Sequence, residues 1–551
     1  MRATVNGETL WLDGTRLGDR LEDIRDTPPF RYGLPLRAAG SGLMPLPMRA
    51  PARPQRIVAV RFDQSASLDM PAAFDATISI RGPYALFLDS IASQGNAEQK
   101  RDMVRGIIIS ELGEAQFSRT AIAYDAATGT ATITAAGLVT TPWRRENGRY
   151  RLSIDQAVEA IGFAPDRTRA AWRSLPVATQ ASDSVVYRYT TKLPAGTGGF
   201  ALEGDQTLPP MLGGRVVKRT VSLAGDTVTL EDRVDSIGME IAAADLPAER
   251  TRFVQAQARQ LRVIAPEKLP SRAEVVAAAR ADGRFKPIEA VYAAAIAADP
   301  DEVTGYSSRA SFRAGVFDRA GAIADYTKII ELGGDADTHV RRGALYEALG
   351  ERAKALADYQ AARGLDPAND GALLALAQAR DVGGDAKGAL ALLDERIALG
   401  DKGRDGAIRA KAEVMALNGD GAGAVALLDA RIAEKPGDPE LLNSRCWTKG
   451  IGNVAVDSAL KDCTKSIELA ESPAAALDSR ALAYVRLGRW EEALADLDAA
   501  LDIAPRMAAS LFLRGLVRTK LGKPGAKDDL AAARMYHPPI EAEYKRFGIT
   551  I

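Results

Sequence analysis

The sequence predicts a multidomain chain: a β-rich, sandwich-like α+β domain followed by an all-α solenoid. Three observations predict it. At 551 residues the chain is too long for one hydrophobic core. Between residues 56 and 265 apolar and polar positions alternate, the period of strands. From about Pro270 the period turns helical. A small residue then returns to one point of the pattern eight times, at Ala290, Ala322, Ala355, Ala389, Ala424, Ala459, Ala493 and Ala526, in steps of 32 to 35.

The elements follow in order. Residues 1–37 read as a short strand-and-turn piece ending in Thr27-Pro28-Pro29-Phe30, and residues 38–55, rich in Gly and Pro, as a linker. In the β domain, 56–265, Val58, Val60 and Phe62 share one strand face. Ala121–Tyr124 and Thr130–Thr134 flank a loop ending at Gly129, and Val216–Leu223 and Thr227–Val234 flank Ala224-Gly225-Asp226. Both are hairpin signals. Helices are expected at Ala97–Leu112 and Ala248–Gln260.

Each unit of the second half is a helix, a turn that usually holds Gly, a second helix and a break. A second small residue sits twelve positions before the marker at Ala310, Gly343, Ala377, Ala412 and Ala481. Two antiparallel helices approach closely only where side chains are small, and one such pair cannot bury its own apolar stripe, so pairs must stack. Over 271–536, as eight units, the pattern resembles the tetratricopeptide family, followed by a tail at 537–551. The aromatic at the turn survives mainly as Phe285, Phe317 and Trp490, and Pro524 makes the last turn irregular.

One covariation is visible inside the chain. The first helices carry Arg309, Arg342, Leu376, Lys411, Arg445, Arg480 and Arg514 at one position. The second helices answer with Asp325, Asp358, Leu392, Leu427, Asp462, Asp496 and Asp529. Every Arg has an Asp, and Leu faces Leu. A half-buried cation needs a partner, so a repeated structural Arg–Asp bridge is expected.

Composition excludes several chemistries. With 71 basic and 72 acidic residues there is no nucleic-acid footprint. No apolar run reaches the roughly 20 residues of a bilayer span. Two Cys and two His, Cys446, Cys463, His339 and His537, fall short of a zinc set, and no cofactor motif is present. Gly522-Lys523-Pro524 has the wrong spacing and lacks the Ser or Thr of a phosphate loop. Cys446 and Cys463 lie on the two helices of one unit and read either as buried thiols or as a disulfide.

Leu12-Asp13-Gly14-Thr15-Arg16, with Pro28-Pro29-Phe30 and Leu34-Pro35-Leu36, resembles the exit of a transglutaminase-like domain in bacterial envelope proteins. The tail Tyr544–Ile549 is similar to theirs. The resemblance implies that Asp13 is a relic of a Cys-His-Asp triad whose Cys and His lie upstream of Met1. Asp13 also reads as a turn-initiating residue before Gly14. The chain as given then holds no catalytic set. The resemblance implies a periplasmic or envelope location, whereas the chain itself, without an export signal, is expected in the cytoplasm.

The expected function is a non-catalytic scaffold that binds a peptide or partner protein, with no nucleic acid and no membrane insertion. The alternative is the C-terminal part of a transglutaminase-like peptidase or amidase. First-helix residues Arg409, Asn443, Trp447, Asp478, Arg486 and Lys520 are the candidate binding set, because an aromatic among Arg, Asn and Lys suits an extended peptide. The same residues also read as an ordinary solvated helical face.

Overall fold

The computed structural model describes residues 1–13, 17–28, 30–36, 38–140, 143–146, 148–179, 181–194 and 199–549. Gly14, Thr15, Arg16 and Pro29, part of the N-terminal resemblance, lie outside them. The chain forms two compact units, Met1–Ala298 and Asp299–Ile551.

The first unit is built on an eight-stranded sheet. Its order is Met211–Leu212, Arg215–Ala224, Thr227–Ser236, Asp183–Lys192, Arg56–Asp63, Ala72–Arg81, Thr130–Val139 and Ala115–Asp125. All neighbours are antiparallel except Asp183–Lys192 beside Arg56–Asp63. Both expected hairpins form in register, with Ile122 opposite Ile133 and Val221 opposite Leu230. Val58 and Val60 are fully buried, as the alternation demands. A four-stranded sheet of Ala201–Glu203, Arg262–Ile264, Arg149–Ser153 and Arg144–Glu146 accompanies it. Arg219 bridges Asp155 and Asp232, all three side chains without solvent exposure.

Helix Ala97–Leu112 appears as expected, and the second expected helix spans Leu246–Ala258. Helix Pro83–Gln94 is an element the alternation did not announce. The apolar run Tyr84–Leu88 reads like a buried strand, but Pro83 at the first helical turn starts a helix there instead. Helices Pro83–Gln94 and Ala97–Leu112 both pack against strand Ala115–Asp125.

Eight helical pairs follow: Arg272–Ala281 with Lys286–Ala298, Val303–Gly315 with Arg319–Glu331, Ala336–Ala348 with Arg352–Leu365, and Asp370–Val382 with Ala386–Ala398. Then come Arg404–Leu417 with Gly421–Glu434, Pro439–Ile451 with Val456–Leu469, Ala474–Arg486 with Trp490–Ile503, and Ala508–Leu521 with Ala526–Tyr536. A short helix Ile540–Arg546 ends the series. The first pair belongs to the sheet unit, so the compact units divide after Ala298 rather than near residue 270. The reason is packing. Helix Lys286–Ala298 lies against strands Ala115–Asp125 and Ala72–Arg81, and Arg272 pairs with Asp69. The marker alanines show the same difference: Ala322, Ala355, Ala389, Ala424, Ala459 and Ala493 are buried, but Ala290 is exposed.

Close approach within a pair is real. A Cβ on Gly343 would meet the Tyr359 ring at 2.6 Å. The Arg–Asp bridges form at Arg309–Asp325, Arg342–Asp358, Arg445–Asp462, Arg480–Asp496 and Arg514–Asp529. Most of these cations also reach the second helix of the preceding pair, two positions after its Asp or, in the fifth pair, after Leu427. Arg342 meets Thr327, Arg480 meets Thr464, Arg445 meets Asp429 and Arg514 meets Asp498. Lys411 pairs with Asp394 in the same way. Arg342, Arg445, Arg480 and Arg514 therefore tie two neighbouring pairs as well as two helices of one pair, whereas Lys411 ties neighbouring pairs alone. Where Leu376 replaces Arg, it packs in one apolar cluster with Leu392.

Cys446 and Cys463 are joined in a disulfide across the sixth pair, with Cα atoms 5.6 Å apart. Of the two readings open in the sequence, the structure selects the bond.

Candidate functional site

The first helices of the pairs share one face, because each pair repeats the same step relative to the last. Along that face of the second unit lies a trough of about 890 Å³. Its walls come from first helices, with Gln378 and Asp381 of the fourth pair, Arg409 and Glu413 of the fifth, Ser444 and Trp447 of the sixth and Ala509 of the eighth, and from second-helix residues Arg352 and Leu393 and the terminal segment between Pro538 and Phe547. Glu347 of the third pair also lines it.

The trough is not bare. The terminal segment crosses it. Arg546 makes a two-pronged ion pair with Asp381, both contacts at 2.8 Å. Phe547 sets its ring edge-on to Trp447, with centroids 5.7 Å apart. Tyr544 is buried against Phe512 and donates its hydroxyl proton to the Ala509 carbonyl at 3.2 Å.

Arg486 is the polar centre of this arrangement. Its guanidinium donates to the Gly450 carbonyl at 2.9 Å and the Ile451 carbonyl at 3.3 Å, at the C-terminal end of helix Pro439–Ile451. The same group donates to the carbonyls of Phe547 and Gly548. It reads main chain on both sides, which requires no particular side chain in the segment it holds.

Burial tunes two carboxyls here. Asp478 is pushed up to about 6, because burial disfavours its charge and only the Ser510 hydroxyl offsets that. Glu413 is also raised, first by burial and then by the nearby Glu543 and Asp381 carboxylates, while its hydrogen bond with Trp447 acts the other way.

The six sequence-predicted residues do not all meet. Arg409 and Trp447 line the trough, Arg409 paired with Glu440 at 2.6 Å. Arg486 holds the crossing segment. Asp478 lies beneath it, close enough to influence the Tyr544 hydroxyl. Asn443 stands one turn before Trp447, its Oδ1 buried without a hydrogen-bond partner. Lys520 is exposed and lies over the Trp490 ring at 5.6 Å. Sequence reasoning missed Asp381, Gln378 and the terminal segment. The basic-aromatic string Tyr544-Lys545-Arg546-Phe547 beside an acidic first-helix end was the available signal.

Asp13 follows strand Glu8–Trp11 in the first unit. Residues 1–298 contain neither Cys nor His, so no triad can assemble around it within that unit. Among the described residues no cluster of His, Cys, Asp and Glu is arranged to hold a metal ion. No helix is long and apolar enough to cross a membrane among them.

Residues 474–507, the seventh pair with its flanking turn, match the tetratricopeptide repeat family. The helical region is a tetratricopeptide-type solenoid. A curated relative, the Hsp70-Hsp90 organizing protein of Triticum aestivum, is 36% identical over 104 residues, 19% of this chain and 18% of that protein. The chain thus spans less than a fifth of that relative's length. Two solved structures are similar: a tetratricopeptide repeat protein from Parabacteroides merdae (19% identity, TM-score 0.36, covering 45% of this chain and 97% of that one) and a thermophilic one from Thermus thermophilus (23%, 0.29, 34% and 98%).

Proposed function

We propose that this chain is a non-catalytic interaction scaffold whose tetratricopeptide trough holds a peptide segment of a partner protein. One observation carries the reading: Arg486 holds two successive main-chain carbonyls of a segment lying across the first helices. The captured carbonyls lie at the C-terminal end of helix Ile540–Arg546, and main-chain capture with an aromatic contact alongside is one way a groove holds a segment of another chain. The curated relative is named for organising two other proteins, which agrees with a scaffold role. The transglutaminase-like alternative rests on the first 37 residues and places its Cys and His upstream of Met1. The Cys446–Cys463 bond supports an oxidising compartment such as the cell envelope.

The test selects peptides from a displayed random library on the full chain and on its Arg546→Ala/Phe547→Ala variant. Peptides selected on either chain are expected to lose affinity at least about tenfold when Arg409→Glu and Gln378→Arg are added, since both side chains line the trough without deep burial. Selection of nothing by both chains, or binding indifferent to those changes, defeats the reading.

A further inference from the structure

We infer that the segment Ile540–Ile549 is a resident ligand of the trough, and that the partner displacing it is a peptide of another protein carrying an arginine followed by an aromatic residue. The inference rests on the scaffold reading and names the chemistry of its ligand.

Three features distinguish this segment from a helix that merely caps the stack. A cap covers the last pair. Here the segment runs back over earlier pairs, touching Ala509 of the eighth, Trp447 of the sixth and Asp381 of the fourth. Its contacts are those of a recognised peptide: an ion pair to Arg546, a ring in an aromatic pocket, and two carbonyls taken by Arg486. The trough also remains partly open, with about 890 Å³ beside the segment, so a competitor can enter before the segment leaves.

Charge complementarity gives the occupant its character. Asp381 is buried and meets Arg546 with both oxygens; Asn418 adds one hydrogen bond at 2.7 Å. Glu413 and Glu347 add acidic groups to the same wall. A displacing peptide must supply a cation to Asp381, or leave a buried carboxylate without its counter-charge. Arginine suits the fork geometry better than lysine. An aromatic residue directly after it replaces Phe547 against Trp447.

The experiment uses the full chain and a synthetic peptide with the sequence of residues 540–549. Fluorescence anisotropy is expected to show the peptide binding the Arg546→Ala/Phe547→Ala chain at least about tenfold more tightly than the unaltered chain. Replacing the peptide's arginine by glutamate should abolish most of that binding. Equal affinity for both chains overturns the inference while leaving the scaffold reading intact. So does failure of the peptide to bind a variant whose circular dichroism shows native helix. Amide exchange on the unaltered chain is a second check that needs no variant. Tyr544–Ile549 are expected to exchange at least about tenfold faster than the core of the seventh pair, by local opening. Equal protection means that the segment never leaves, and overturns the inference. Tail-dependent dimerisation of the unaltered chain would assign the segment to a second copy and overturn it too.

Discussion

Arg546 and Asp381, 165 positions apart, form a two-pronged ion pair in which the carboxylate is buried. Removing the guanidinium leaves Asp381 with Asn418 alone. Arg546→Ala is expected to weaken docking of the terminal segment by about 2 kcal/mol, which raises its open population roughly 30-fold. Hydrogen exchange at Tyr544–Ile549 measures it directly. An unchanged exchange rate would show that the ion pair does not hold the segment.

The Arg–Asp bridges yield a double-mutant prediction. Arg480 meets Asp496 with two hydrogen bonds of 2.7 Å, both side chains largely buried. Arg480→Leu alone should destabilise by about 2–3 kcal/mol, because Asp496 loses its counter-charge. Adding Asp496→Leu should restore most of that loss, since Leu376 and Leu392 already occupy the same two positions in the fourth pair. Urea unfolding of the single and double variants reads the coupling. Additive losses would mean that the bridge is more than an electrostatic match.

Asp478 predicts a pH dependence of fixed sign. Its pKa in the folded chain is raised to about 6 from an ordinary value of 3.8, so the folded state binds the proton more tightly than the unfolded state. Stability contributed at this site therefore falls as pH rises between about 4 and 6, and the penalty persists above that range. Asp478→Asn still accepts from Ser510 and should stabilise by about 1–2 kcal/mol at pH 8, with no gain at pH 4 or below. Melting curves at the two pH values test it. A gain of equal size at both would remove ionisation as the cause.

The disulfide offers a third handle on stability. Cys446 and Cys463 close a loop of 17 residues between two helices. Cys446→Ala/Cys463→Ala should cost roughly 3 kcal/mol through the freed unfolded chain, and a reductant should lower the melting temperature of the unaltered chain but not of this variant. The same small loss with and without reductant in both chains would show that the bond does not stabilise the fold.

Much of the architecture was legible in the sequence because it is local. The 33-to-35-residue return of Ala322 through Ala493 encodes tight helix pairs, and the Arg480–Asp496 spacing encodes the bridge across one turn. Hairpins such as Val216–Leu223 with Thr227–Val234 are set by alternation and a short Gly-containing loop. The same local rule failed at Pro83–Gln94, where five apolar residues in a row fit strand and helix alike. It also grouped the first helical pair with the solenoid. Its pattern resembles the later ones, yet its second helix is claimed by the sheet.

The sequence by itself determined the paired helices of the second half and the two main hairpins, that paired helices stack, and which cation meets which carboxylate inside a pair. Those are matters of period, side-chain size and charge within some 35 residues. Only the tertiary structure decided that Arg486 faces the carbonyls of Phe547 and Gly548, that Asp381 receives Arg546, and that Lys520 turns away to Trp490. Those contacts depend on how many small rotations accumulate from pair to pair, and no residue encodes that sum locally.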